Sequence, residues 1–146
     1  MRTTPMEPDE SPCHCLALRQ AARQATQVYD RHLAAEGLRS TQYSILSKLG
    51  RLGPQSVNAL AASMAMDRTT LGRALKPLQR ARLVAVTTDD DDGRARVIRL
   101  TPAGETRLKA AFRHWKNAQK EFETAYGASD AAKLRGSLRQ VVTALR

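Results

Sequence analysis

The chain has 146 residues, 42% of them hydrophobic but only 4% aromatic, which suits one domain whose core is filled by Leu, Ala and Val. Lys and Arg number 24 against 14 Asp and Glu, a formal charge of +10, which favours a polyanionic partner: nucleic acid or an anionic surface. No apolar run reaches the roughly 18 residues of a membrane span, so membrane-spanning functions are excluded.

Met1 to Pro12, with two glutamates, three prolines and no apolar stretch, is expected to be a disordered tail rather than a signal peptide. Cys13 and Cys15 stand too close together to staple a fold, so a reducing, cytoplasmic setting is expected. Cys15, Leu18, Ala22, Ala25 and Tyr29 recur at helical spacing and predict a first helix to about Ala35, ended by Gly37. A second helix fits Ser40 or Thr41 to Leu52, with Tyr43, Leu46 and Leu49 inward and Gly53-Pro54 as its stop. Ser56 is a suitable N-cap for a short third helix from Val57 to about Met64. A fourth starts near Asp67 and runs to about Ala81, burying Leu71, Leu75 and Leu78. The period then changes. Leu83 to Thr88 and Arg96 to Leu100 read as two strands around the polar tip Asp89 to Arg94, which makes a two-stranded wing. Thr101 caps a long helix with Pro102 at its first position and a seam of Leu108, Ala111, Trp115, Ala118, Phe122 and Ala125. Gly127 ends it, and Ser129 is expected to cap a last helix with the seam Leu134, Leu138, Val141 and Leu145.

The expected fold is mainly α with a small β-hairpin wing. Its parts are a tail (1–12), an N-terminal helix (13–39), a winged helix-turn-helix unit (40–101) and C-terminal helices (102–146). Helices at both ends have apolar seams but little of their own to pack against, so a second copy of the chain is their expected partner.

On the fourth helix, the inward leucines leave Arg68, Thr69, Gly72, Arg73 and Lys76 towards solvent and Thr70 at the border. Arg reads guanine bidentately, and Thr bonds a base edge or meets the thymine methyl, so this face suits a major groove. The same residues also fit an ordinary solvated face. The wing favours the DNA reading, because Arg94 and Arg96 can enter a minor groove whose negative potential attracts guanidinium groups. Asp92 suits a local role, holding Arg94 extended. The aspartate run lacks the spacing of a calcium loop, and Cys13-His14-Cys15 cannot complete a zinc site alone, so no metal or cofactor is expected. No catalytic constellation is legible either.

Asp67-Arg68-Thr69-Thr70-Leu71, Leu83-Val84, Asp92-Gly93-Arg94-Ala95-Arg96 and Leu100-Thr101-Pro102-Ala103-Gly104, in this order and spacing, resemble the MarR family of transcriptional regulators. The resemblance runs from Cys15 to Leu145. It implies a triangular homodimer formed by the first and last two helices. Its recognition helices would lie in successive major grooves of a pseudo-palindromic double-stranded operator, with the wing arginines in flanking minor grooves. Ser56, Arg68, Thr69, Thr70, Arg73, Lys76, Arg94 and Arg96 are then the expected DNA contacts. Members usually repress nearby genes and release DNA on meeting a small aromatic ligand or an oxidant. Of the family's sensor residues, Cys15 matches the peroxide-reactive cysteine of one branch and Tyr29 one of its tyrosine partners; Ser40 stands where a second tyrosine is expected. His14, Arg19, Tyr29, His32, Tyr43 and Trp115 are positional candidates for a ligand pocket.

Two departures stand out. Arg82 occupies a position where the family usually has Gly, so it either accepts a left-handed backbone or ends the helix differently. Pro77 removes an N–H from the recognition helix and predicts a mild bend. The competing readings are a protein-interaction adaptor built on the same winged unit and an architectural DNA binder with little sequence preference.

Overall fold

A computed structural model describes residues 11–88 and 96–146. Helix α1 (His14–Leu33) passes through a 3-10 turn (Ala34–Glu36) into α2 (Ser40–Leu52). A short strand β1 (Gln55–Ser56) leads into α3 (Val57–Ser63) and α4 (Arg68–Arg80). Strands β2 (Val84–Thr88) and β3 (Arg96–Leu100) precede α5 (Pro102–Tyr126) and α6 (Ala128–Ala144).

The wing has three strands rather than two. Strand β3 lies in the middle of an antiparallel sheet, with β2 on one side and β1 on the other. Gln55 pairs with Ile98 and Ser56 with Val97. Two residues are too short to show a strand period, and Ser56 is extended as any N-cap residue is, so the pattern gave no signal for β1.

The core is built where α2, α3, α4 and the sheet meet. Leu46, Leu60, Leu71, Leu78 and Ile98 are fully buried there, beside Ile45 of α2. The cluster also takes in Leu33 at the end of α1, Leu38 and Ala111 of α5. Packing therefore continues across residues 39 and 101 into both flanking helices. The expected inward residues of α4, Leu71, Leu75 and Leu78, are all buried. Asp30 of α1 reaches over to accept the Ser40 backbone N–H at 2.7 Å, which satisfies an open donor at the start of α2.

The end of α4 is held by a compact set of backbone bonds. Arg82 takes the left-handed conformation, with φ of 59°. The Arg82 N–H donates to the Gln79 carbonyl at 3.0 Å, and the Leu83 N–H donates to the Leu78 carbonyl at 2.9 Å. This is a Schellman closure sealed by two buried leucines, so Arg82 accepts the strain and does not end the helix differently. Helix α3 closes the same way through Ala65, with φ of 52°. Helix α4 continues through Pro77, whose missing N–H leaves the Arg73 carbonyl without its usual intrahelical donor.

Next, Thr101 ties α4 to α5. Its Oγ1 accepts the Gly104 N–H at 3.0 Å and donates to the Arg82 carbonyl at 2.6 Å, while its own N–H donates to the Leu83 carbonyl at 3.1 Å. Gly104 is required by this approach: a Cβ there would lie 2.0 Å from the Leu83 carbonyl oxygen.

The two ends of the chain differ from this interior. Along α1, Cys15, Leu18 and Ala22 are exposed, and only Ala25 and Tyr29 of the expected seam are half-buried. Ser129 is not the cap of α6. That helix starts at Ala128, Gly127 (φ 105°) stands at the cap without a side-chain bond, and Ser129 lies inside the first turn. Leu138, Val141 and Leu145 are exposed. Polar bonds add to the packing of α1 on α5. Glu121 accepts three bonds from the Arg31 guanidinium, through Nη1 and Nη2, and faces His32 Nε2 at 2.8 Å, while the Tyr29 hydroxyl donates to Gln119. His114 Nε2 of α5 lies 3.4 Å from Glu36 Oε1, and Arg107 donates to the Glu36 carbonyl. Among the described residues, no helix is long and apolar enough to cross a membrane.

Candidate nucleic-acid interface

Helix α4 owes its start to Asp67, whose carboxylate accepts the Thr70 N–H at 2.7 Å. That bond, a side-chain bond with Thr70 and the nearby Arg73 charge hold the Asp67 carboxyl below its ordinary range, so it stays ionised as a cap. The cap fixes the first turn and with it the direction of Arg68 and Thr69. Arg68, Thr69, Thr70, Arg73 and Lys76 are all exposed, as their positions opposite the leucines require.

Four of these five line one groove. Arg68, Thr69, Arg73 and Lys76 share it with Gly72 and Gln79 of the same helix, Val86 of β2 and Arg96 of β3. Its volume is about 470 Å³, and among the described residues no carboxylate lines it. The sheet therefore delivers Arg96, sixteen residues beyond the end of α4, to the same cationic surface. Thr70 is exposed outside the groove. Ser56 caps α3 by accepting the Ala59 N–H at 3.1 Å and is exposed, so its hydroxyl serves the fold first. Arg94 and Asp92 lie outside the described residues. Gln79 was not among the expected contacts, although it sits three residues beyond Lys76 on the same face.

A second concavity lies between α2 and α5, with a volume of about 690 Å³. Tyr43 and Trp115 line it, with Phe112, Leu108, Ser44, Ser47 and the cations Lys48, Arg51 and Lys109. The Trp115 ring is stacked with Tyr43 at 6.1 Å and with Phe112 at 5.8 Å between centroids. Burial raises the Tyr43 phenol above its usual pKa, partly opposed by Arg51, so it is a neutral donor at physiological pH. The spacing Tyr43, Ser47, Arg51 on α2 and Leu108, Phe112, Trp115 on α5 was a legible signal for these walls.

The other pocket candidates are elsewhere. His14 is the first residue of α1 and exposed, Arg19 is exposed on the same helix, and His32 is engaged with Glu121. They were candidates by position in the family resemblance, but the described walls of the hollow come from α2 and α5. Cys15 and Tyr29 do not meet within one chain either. Fourteen residues of helix separate them, about 21 Å at 1.5 Å per residue. The Cys13 sulfur caps α1 by accepting the Leu16 N–H at 3.4 Å, and both thiols are exposed. Among the described residues, no group of three His, Cys, Asp or Glu could hold a metal ion.

Comparison with known proteins follows the same lines. The family model described as MarR matches residues 38–95. The chain is similar to the M. tuberculosis transcriptional regulator MosR, solved in complex with DNA, at 35% identity and a TM-score of 0.80, covering 92% of this chain and 98% of that one. A probable transcriptional regulator from Pseudomonas aeruginosa matches at 27% identity and a TM-score of 0.78, covering 89% and 97%. A mutant MarR from E. coli, complexed with operator DNA, shares the fold at 16% identity and a TM-score of 0.77, covering 87% and 91%. No curated protein sequence matches the chain.

Proposed function

The chain belongs to the MarR family, and from that premise we propose that it is a homodimeric, sequence-specific DNA-binding regulator. It acts as a repressor on a pseudo-palindromic operator and is released by a small aromatic effector. The observation that carries the reading is the groove in which Arg68, Thr69, Arg73 and Lys76 of α4 face the same space as Arg96 of β3. Those residue types suit base edges and phosphates together. The MosR relative, at 35% identity, is solved on DNA, which supports the same use of this face.

Dimerisation fits the apolar residues left uncovered on the terminal helices: Leu16 and Leu18 of α1, and Leu138, Val141 and Val142 of α6. The winged unit would then be 40–101, carried by dimerisation helices at 13–39 and 102–146. Arg94 at the wing tip would enter the minor groove, with Asp92 positioning it. The hollow beside Tyr43 and Trp115 is the effector site in this reading, because stacked rings and three cations suit an aromatic anion. Release by an oxidant is the second reading, favoured by the exposure of Cys13 and Cys15.

The test is binding of the purified chain to the DNA upstream of its own gene and to a scrambled duplex, at two salt concentrations. Specific binding with dimer stoichiometry is expected. Arg96→Ala should cost about 1–3 kcal/mol on every duplex, and Arg73→Ala should relax base preference at one position of each half-site. Equal, steeply salt-dependent binding to both duplexes would leave the architectural reading. No binding to either would leave the adaptor. Cys15→Ser should abolish hydroperoxide-induced release if the thiol is the sensor, and release that persists in that variant would reject the oxidant reading at Cys15.

A further inference from the structure

Most glycines of this chain have a reason to be glycine within the fold. Among the described residues, Gly37, Gly53 and Gly127 hold a positive φ. A Cβ on Gly50 or Gly104 would come 2.7 Å or 2.0 Å from a neighbour. Gly72 has neither reason. It sits in the interior of α4, where glycine is the least favourable residue after proline, and a Cβ there would meet nothing within 4 Å. Alanine would suit the fold better. Gly136 of α6 is alike in this, but Gly72 lines the cationic groove.

The residues around Gly72 give its bareness a use. Arg68 and Thr69 stand one helical turn before it and Lys76 one turn after, so the four share a face of α4. Between Thr69 and Lys76 the helix axis advances about 10 Å, and Gly72 near the middle leaves the backbone uncovered. A helix in a major groove meets base edges through its side chains and comes closer only where one is missing. What can sit against Gly72 follows from what it offers. Its N–H and C=O belong to the helix ladder, so it presents Cα hydrogens alone. A polar base-edge atom gains no bond from that surface. The C5 methyl of thymine is the one methyl group on a major-groove edge, and it needs none.

We infer that Gly72 is a specificity-determining residue: it admits the C5 methyl of one thymine in each half-site against the backbone of α4. The inference rests on reading α4 as the helix that enters the major groove. It adds a base position read by a missing side chain rather than by Arg or Thr.

The experiment uses the full-length chain and the DNA upstream of its own gene. Each thymine in the protected region is replaced in turn by 2′-deoxyuridine, which removes the methyl and keeps the pairing. Affinity is measured for the natural chain and for Gly72→Leu. The expected result is a position in each half-site where uracil weakens the natural chain about fourfold, the worth of one buried methyl. Gly72→Leu should bind the upstream DNA at least about tenfold more weakly and lose the uracil effect at that position. It should keep its affinity for a scrambled duplex, since no charge changes. Its folding equilibrium constant should rise about fourfold in urea denaturation, because leucine is the better helix former and the space is open.

If a chain that binds specifically tolerates uracil at every thymine, the regulator reading stands and the methyl contact is overturned. Undiminished binding of Gly72→Leu to the upstream DNA, or an equal loss on both duplexes, overturns it as well. A lower urea midpoint for that variant does the same, by returning the glycine to the fold. A natural chain that prefers neither duplex removes the operator reading and the inference with it.

Discussion

The winged unit and the chain's two ends use the same residue type to opposite effect. Leucines at 46, 60, 71 and 78 are fully buried, whereas Leu16, Leu18, Leu138 and Leu145 are exposed, Leu145 at 81%. Helical periodicity is present in both sets, so periodicity does not separate them. What separates them is the number of elements that converge. In the middle, α2, α3, α4 and the sheet close around a shared point; most of α1 meets α5, with polar bonds among its contacts, and α6 packs mainly on α5. An apolar stripe with no second layer is a surface awaiting one.

The sharpest way to break this contrast is at the centre. Leu71→Ala should cost about 2–5 kcal/mol of stability, because α4 cannot collapse into the space without moving the groove residues it carries. Urea denaturation followed by circular dichroism measures it, and a loss under about 1 kcal/mol would mean the interior is looser than its burial. At the ends, Leu138→Asp combined with Val141→Asp should leave helical content intact but raise the dimer dissociation constant about a hundredfold, near 3 kcal/mol. Sedimentation showing an unaltered dimer would remove α6 from the interface.

Gly104→Ala sharpens the comparison at the joint between the regions. The added methyl meets the Leu83 carbonyl, which cannot move without disturbing Thr101, so a loss of about 1–3 kcal/mol is expected in the same denaturation experiment. The smallest effect has the opposite sign. Arg82→Gly should raise stability by up to about 1 kcal/mol, since the left-handed penalty exceeds the entropy that Gly adds to the unfolded chain. A higher urea midpoint with unchanged slope would carry that result; a lower midpoint would show that the Arg82 side chain contributes more than its backbone costs.

Much of this molecule was legible before its structure. Leu71, Leu75 and Leu78 set the rotation of α4, and that rotation alone turns Arg68, Thr69, Arg73 and Lys76 outward, because a helix repeats every 3.6 residues. Asp67 and Thr101 announced their helix starts by the chemistry of an oxygen three residues before an open N–H. The third strand was illegible, because two residues carry no period and Gln55–Ser56 is defined only by the Ile98 and Val97 it pairs with. The hollow was half legible: Tyr43 and Trp115 were named, but His14, Arg19 and His32 were named with them. Position along a helix gives a direction, not the neighbour that stands there.

By itself, then, the amino-acid order determined the helices, the inward face of α4, the caps Ser56, Asp67 and Thr101, the basic outer face of α4 and the family, because these depend on spacings of a few residues along one chain. Only the tertiary structure decided that Arg96 joins the α4 groove, that the Leu83 carbonyl leaves no room for a side chain at residue 104, and that Leu108 of α5 packs against the bare Gly50 of α2. Those outcomes depend on where separate elements come to rest against one another, and the backbone bonds and close contacts that decide it join residues distant in sequence.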